Sequence, residues 1–440
     1  MTKEELLAKK ISAISLGCDK NRVDLEKMLF SLKKYGFEIT PEPYDAEIVI
    51  VNTCAFIEPA RQEAIANIFE TLKLKVSAKV EKVIVTGCLP ERYFNDLKND
   101  IPEVDAYLRL KDNDGICNVI EGLYEIAPTK LKKQNGRVFT SGSSSAFLKI
   151  ADGCDNVCSY CTIPRIRGRY KSEKIEDLVD EAKMLVKMGA KEIVLVAQDT
   201  TSYGKDIYGK PSLLELCKEL CKIKELKWIR VHYAYPELID DEFLSFIQIE
   251  SKMCKYLDIP LQHIDDDILK SMRRRLDEES TRKLITKIRT VYPEIKLRTT
   301  FIVGYPGETS KQFNKLCSFL KEAKFEYAGF FSYFREEGTV SSYIKNQVPR
   351  FIKKHRLRKV QKIQAEIASK LLWSYVGQEF EVLVDEFDCE TGFYLTHANF
   401  MSKAVDFNVK IDDNGNIRIG DFVKVRITDF DGENLKGEII

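Results

Sequence analysis

Three cysteines stand within eight residues, Cys154, Cys158 and Cys161, at the spacing C-x3-C-x2-C. Thiolates this close in sequence can converge on one soft metal centre. No fourth Cys or His follows at ligand spacing, so the closed four-ligand set of a structural zinc site is not completed. A [4Fe–4S] cluster held by three cysteines fits the same residues and leaves one iron free to bind something else.

Three further cysteines share a different kind of regularity. Lys10–Leu16, Glu47–Val51 and Lys82–Thr86 are apolar, strand-like runs, and they lead into Gly17-Cys18, Asn52-Thr53-Cys54 and Gly87-Cys88. Each cysteine therefore sits just past the C-terminal end of a strand, the edge at which open α/β sheets bind ligands. Spacings of 36 residues (54 − 18) and 34 residues (88 − 54) do not prevent the three from meeting. Free cysteines are commonly buried for packing alone, but three in the same register are poorly explained that way. We therefore expect a second three-cysteine metal site, with Cys117 outside it.

The elements that must position these residues can be read in order. Leu25, Met28, Leu29 and Leu32 recur at helical spacing after Cys18. After Cys54, Pro59 suits a first helical turn ahead of Ile65, Ile68, Phe69 and Leu72. Residues 9–126 thus read as an N-terminal α/β sheet domain. Residues 127–145 read as a polar linker rich in Lys, Ser and Gly. In residues 146–372, strand-like runs at 146–151, 192–198, 227–233, 255–259, 296–303 and 327–333 alternate with helical patterns. One such pattern is Ile175, Leu178, Val179, Ala182, Leu185 and Val186, and another is Leu213, Leu216, Cys217, Leu220 and Cys221. Core packing accounts for Cys217 and Cys221. Six strands alternating with helices imply a parallel sheet, open or curled into a partial barrel, with its active site at the strands' C-terminal ends. Cys154–Cys161 follow the first of these strands. Residues 375–440 change to short β runs with Gly392, Asn414-Gly415 and Asp431-Gly432 between them, reading as a small antiparallel β-barrel or sandwich.

Composition narrows the class. Hydrophobic residues make up 44% of the 440 and charged residues 31%, with a formal net charge of +1, so the whole molecule has no electrostatic bias toward nucleic acid or anionic membrane. No signal-peptide core or membrane-length apolar run is present. We expect a cytoplasmic protein whose 12 cysteines serve as ligands or core residues rather than disulfides. Locally, Val376–Ile440 holds 14 acidic and 6 basic residues, a net of 6 − 14 = −8. Such a module should repel phosphate backbones and attract basic proteins. His232, His263, His355 and His397 form no catalytic pairing with Ser or Cys. His263 reads as structural or near the cofactor.

The C-x3-C-x2-C loop on the first strand of a β/α section resembles the radical S-adenosylmethionine (SAM) enzymes. With Cys18, Cys54 and Cys88 and a terminal β module similar to a TRAM domain, the likeness narrows to the radical SAM methylthiotransferases over nearly the whole chain. Within that family the chain resembles the branch that modifies an aspartate of small-subunit ribosomal protein number twelve. The matching segments are Ser15–Asn21, Asn52–Ile57, Val85–Cys88, Cys161–Gly168, Ala197–Thr201, Tyr256–His263 and Thr300–Glu308. The tRNA-adenosine-modifying branch, the alternative, has Gly-Gln-Asn where this chain has Ala197-Gln198-Asp199. Asp19 and Leu25 depart from the ribosomal branch, where proline and serine are common.

The resemblance implies a central partial (β/α)6 barrel and two [4Fe–4S] clusters. Cys154, Cys158 and Cys161 would be the catalytic set, holding the cluster whose open iron chelates SAM. Reduction would then yield a 5′-deoxyadenosyl radical able to take hydrogen from an unactivated C–H bond. Tyr160 would pack against the cluster or the adenine of SAM, and Gln198, Gly304, Gly307 and Glu308 would contact SAM. Cys18, Cys54 and Cys88 would hold the auxiliary cluster that carries the sulfur, with two SAM consumed per product. The implied partners are a basic ribosomal protein as substrate and an external flavodoxin- or ferredoxin-type electron donor, without membrane or direct nucleic acid.

Overall fold

The structure is a computed structural model describing residues 1–129, 136–140, 144–403, 405–413 and 415–440. Much of the expected linker, at 130–135 and 141–143, and Asn414 of one expected turn lie outside the described residues. The chain divides into two compact units: residues 1–140 with 152–155 and 161–170, and residues 141–151 with 156–160 and 171–440.

The first unit is built on a five-stranded, wholly parallel sheet in the order Glu38–Ile39, Lys10–Ser15, Ile48–Thr53, Lys82–Gly87, Ala106–Tyr107. Helices cover both faces, which is why Ile48–Thr53 is apolar along most of its length and buried throughout. Alternation divides the strand between two cores. Val49 and Val51 pack with Ala64 and Ile68 of helix Glu58–Ser77. Ile48 and Ile50 pack with Leu25, Met28, Leu29 and Leu32 of helix Asp19–Tyr35. Phe69, expected on the buried face, is instead 46% exposed. It stands one residue, about 100° of helix, beyond the stripe that Ile65, Ile68 and Leu72 define. Within the expected linker, Arg137 makes a buried ion pair with Glu26, and the Thr140 hydroxyl donates to Glu26 at 2.7 Å.

The second unit holds six parallel strands in chain order: Ser145–Lys149, Glu192–Val196, Trp228–Val231, Tyr256–Gln262, Lys296–Val303 and Tyr327–Ser332. They form two three-stranded sheets joined by a parallel bridge from Ile229 to Met253. This is the expected partial (β/α)6 barrel. The C-terminal strands Glu379–Asp388, Phe393–Ala398, Val409–Asp412, Phe422–Phe430 and Leu435–Ile439 close into a barrel. The last strand is not apparent from the sequence, because only Leu435, Ile439 and Ile440 mark it. It also makes the barrel mixed rather than wholly antiparallel, since it pairs in parallel with Val409–Asp412.

Trp228, Tyr256 and Tyr327, at the N-terminal ends of their strands, share one core with Val382, Val384, Val425 and Leu435 of the small barrel. The barrel therefore seats on the end of the β/α section opposite the strands' C-terminal edge. Buried charges lock this seat. Arg230 Nε donates to Glu192 at 2.7 Å, and His397 bridges Glu192 at 3.0 Å and Asp385 at 2.6 Å. Burial by itself would lower the His397 pKa; the Asp385 and Glu192 carboxylates outweigh it and raise the pKa to about 9.

The folded pKa lies above the ordinary 6.5, so this stabilisation is full below 6.5 and is lost as pH rises through about 9. Thermal unfolding of the wild type should weaken by roughly 3 kcal/mol from neutral to alkaline pH. A His397→Gln variant should begin less stable and follow a flatter profile. Parallel pH profiles for the two proteins would contradict this role.

Candidate functional site

In the first unit the strand ends stand in register: Ser15 is opposite Asn52, Asn52 opposite Thr86, and Thr53 opposite Gly87. Cys18 is the N-cap of helix Asp19–Tyr35, Cys54 directly follows Ile48–Thr53, and Cys88 opens helix Cys88–Asp100. Buried side chains tie these turns together. Asn21 Nδ2 donates to Thr53 O at 2.8 Å and Leu16 O at 3.2 Å, Asn52 Nδ2 donates to Asn21 O at 2.9 Å, and the Thr53 hydroxyl donates to Thr86 O at 2.6 Å.

Gly87 is obligatory at this edge. Its φ of +96° is left-handed, and a Cβ there would lie 2.4 Å from Thr53 O. Gly87→Ala should cost about 3 kcal/mol in thermal or urea unfolding, because it displaces the turn that carries Cys88. Wild-type stability in that variant would contradict the assignment.

The Cys88 Sγ stands 3.7 Å from Asn21 Oδ1 and 3.8 Å from Arg167 NH2. Burial pushes the Cys88 thiol up to about 12 and also raises Cys54, while Arg167 pulls both the other way. Thiols of this kind lose their protons when a metal takes them, so loading should release acid. None of the 12 cysteines is paired in a disulfide. Among the described residues, no three or more His, Cys, Asp or Glu side chains gather closely enough for a single ion. An iron–sulfur cube takes each thiolate on a different iron and so spaces its ligands more widely. Three free, soft donors on adjacent strand ends beside a buried cation fit such a cluster.

Cys154, Cys158 and Cys161 lie on one continuous loop, with Cys154 and Cys161 in the first unit and Cys158 in the second. In the first unit, Gly153 has a φ of +73°, and a Cβ on it would lie 2.1 Å from Arg169 O. Cys154 N donates to Gly168 O at 3.1 Å, and Ile163 N approaches Cys161 Sγ at 3.4 Å. In the second unit, Asn156 Nδ2 donates to Asp199 at 2.8 Å, and the Ser159 hydroxyl donates to Ser271 O at 2.8 Å beside the Tyr305 hydroxyl. Arg274 NH1 stands 3.8 Å from Cys158 Sγ, while its NH2 donates to Pro260 O at 2.9 Å and its guanidinium lies over the Tyr235 ring.

The five residues expected near SAM all lie in the second unit. Tyr160 packs beside Met272, Tyr305 and Tyr333, and Gln198 is half-buried just past strand Glu192–Val196. Gly304 and Gly307 adopt φ of +73° and +84°, and Gly307 has open space where a Cβ would stand. The Glu308 carboxylate accepts from the backbone N–H groups of Gly304 and Tyr305 and pairs with Arg356 at 3.2 Å, and burial lifts its pKa to about 7. It shapes the glycine turn from within. His263 is fully buried, its Nδ1 accepts from Asp265 N at 3.0 Å, and burial lowers its pKa to about 4, keeping the ring neutral near pH 7.

Residue type and spacing alone point to no role for Asn21, Arg167 or Arg274. Arg274 lies in Arg273-Arg274-Arg275, a run that reads as solvated surface. Asn21 and Arg167 lie inside the segments of family resemblance, which is the one signal that could have found them.

Comparison with known proteins adds three matches along the chain: an uncharacterized protein family, UPF0004, at residues 10–109, the radical SAM superfamily at 148–320 and the TRAM domain at 376–440. The chain is 44% identical over 434 residues to the ribosomal protein uS12 methylthiotransferase RimO of Elusimicrobium minutum, covering 98% of this chain and 100% of that one. It is 43% identical over 438 residues to the protein of the same name from Thermoanaerobacter sp., covering 98% and 100%. Among solved structures, the fold is similar to the radical SAM methyltransferase TsrM of Kitasatospora setae, with a TM-score of 0.57 at 13% identity over 76% of this chain and 77% of that one. It is also similar to the cobalamin-dependent radical SAM enzyme OxsB, with a TM-score of 0.52 at 10% identity over 84% and 59%.

Proposed function

Because the chain belongs to the RimO family of radical SAM methylthiotransferases, we propose that it replaces a hydrogen on the β-carbon of an aspartate in ribosomal protein uS12 with a methylthio group. The reading uses two [4Fe–4S] clusters, on Cys154, Cys158 and Cys161 and on Cys18, Cys54 and Cys88, and two SAM per product. The observation that carries it is the second cysteine set, standing just past the C-terminal ends of three adjacent, in-register parallel strands. Radical generation alone needs one three-cysteine loop, whereas sulfur insertion calls for a further soft-ligand site.

When bound, the first cluster supplies the electron that cleaves SAM and so the means of breaking an unactivated C–H bond. The rest falls to the chain. Asn156, Ser159 and Arg274 hold the loop around Cys158. Glu308 fixes the Gly304–Gly307 turn, where the open space at Gly307 suits close backbone approach to the adenosine of SAM. Gln198 and Tyr160 are assigned to the same cofactor. A flavodoxin- or ferredoxin-type protein would supply electrons. Among the described residues no helix is long and apolar enough to cross a membrane, and the acidic C-terminal module suits a basic protein substrate better than tRNA.

The test is anaerobic incubation of the reconstituted protein with reductant and SAM, offering either purified uS12 or tRNA. The expected products are uS12 heavier by SCH3 in place of H on one aspartate, with S-adenosylhomocysteine and 5′-deoxyadenosine in equal amounts. Methylthiolated adenosine in tRNA with unmodified uS12 would overturn the substrate assignment.

A further inference from the structure

The short helix Ile163–Arg167 follows the catalytic loop by sequence, yet it is built into the first unit, where Ile166 sits in the core with Val49, Val51 and Val85. This placement directs Arg167 at the other cysteine set. Its side chain is 1% exposed. Its NH2 donates to Asn21 Oδ1 at 2.6 Å and lies 3.8 Å from Cys88 Sγ; its NH1 donates to Asp24 at 2.9 Å and Asp152 at 3.0 Å. Burial works against the guanidinium charge, and the two carboxylates more than offset it.

A buried arginine with carboxylates on one edge and a cysteine sulfur on the other is an expensive arrangement to build for packing alone. A planar guanidinium cannot lose its proton to relieve the cost, and its rigid fork can hold Asn21, Asp24 and Asp152 while leaving one edge toward sulfur. Asn21 is also the residue that ties the strand-end turns together. The charge on Arg167 and the alignment of the cysteine-bearing turns by Asn21 are thus coupled through one hydrogen bond.

We propose that Arg167 is a positioning residue for the auxiliary centre, setting the charge felt by the cluster on Cys18, Cys54 and Cys88 and so its reduction potential. The inference rests on the reading that those three cysteines hold a cluster. A fixed positive charge beside an iron–sulfur centre favours the more electron-rich state, one of the levers by which proteins tune such potentials. Asp24 partly cancels that charge, so removing either partner should move the potential in opposite directions.

The measurement is an EPR-monitored titration of the reconstituted full chain with dithionite. It is done in a Cys154→Ala, Cys158→Ala, Cys161→Ala background so that only the auxiliary centre titrates, with iron and sulfide assayed on every sample. The parent background should bind iron; if it does not, the reading of the cysteines fails before Arg167 is tested. Arg167→Gln should lower the midpoint so that the reduced-to-oxidised ratio at fixed potential falls at least tenfold, which is 59 mV for one electron. Arg167→Lys, which keeps the charge, should stay near the parent, and Asp24→Asn should raise the midpoint. Should Arg167→Gln not retain iron, Asp24→Asn decides the matter: an upward shift supports the proposal, and an unchanged midpoint overturns it. A loaded Arg167→Gln protein with the parent midpoint, or an Arg167→Lys protein shifted as far as Arg167→Gln, would equally overturn it.

Discussion

A Cys18→Ala, Cys54→Ala double variant is expected to cleave SAM to 5′-deoxyadenosine and methionine while releasing no methylthiolated product. The two cysteine sets make this separation possible. The loop around Cys158 is anchored through Asn156, Ser159 and Arg274, and none of those bonds involves Cys18 or Cys54. The double variant removes two soft donors from the strand-end edge. The parallel pairing and the Asn21 and Asn52 hydrogen bonds that hold that edge remain. Chromatography of the nucleoside products beside mass analysis of uS12 reads both halves at once. Methylthiolation by this variant would remove the sulfur-delivering role from Cys18 and Cys54.

The complementary change is more severe. Cys154→Ala, or the triple change with Cys158 and Cys161, should abolish both SAM cleavage and product formation. The expected loss is at least ~10^6-fold, the low end of enzymatic rate accelerations. No side chain in the second unit can substitute, because acid–base groups such as Glu308 do not break an unactivated C–H bond. Circular dichroism should find the fold intact, since the loop's own backbone anchors survive, among them the bond from Cys154 N to Gly168 O. 5′-Deoxyadenosine formed by the triple variant would contradict the assignment.

Much of this architecture is legible in the amino-acid order. Short apolar runs and period-3.6 patterns place the strands ending near Cys18, Cys54 and Cys88, and the six parallel strands of the second unit, to within a few residues. Phe69 escapes because a helical stripe has an edge that spacing does not resolve. The strand Leu435–Ile439 escapes because its apolar residues are too few to carry a pattern, and the barrel closes over it through pairing with distant strands. The candidate cysteine ligands stand out in the sequence because metal chemistry demands one residue type. Arg167 and Arg274 are not, because an arginine's role depends on which sulfur the fold brings within reach, and sequence spacing carries no trace of that. The acidic excess of the C-terminal module is equally plain in composition, but its seat on the N-terminal ends of the β/α strands emerges only from the shared core around Trp228 and Tyr327.

Iron and sulfide content per chain tests most directly that the protein carries two separate cluster sites. Three proteins, reconstituted anaerobically side by side, suffice: the wild type, a Cys18→Ala, Cys54→Ala, Cys88→Ala variant, and a Cys154→Ala, Cys158→Ala, Cys161→Ala variant. The expected result is that each triple variant binds half the iron and half the sulfide of the wild type. A variant that kept the full wild-type content, or one that lost all of it, would contradict two independent three-cysteine centres.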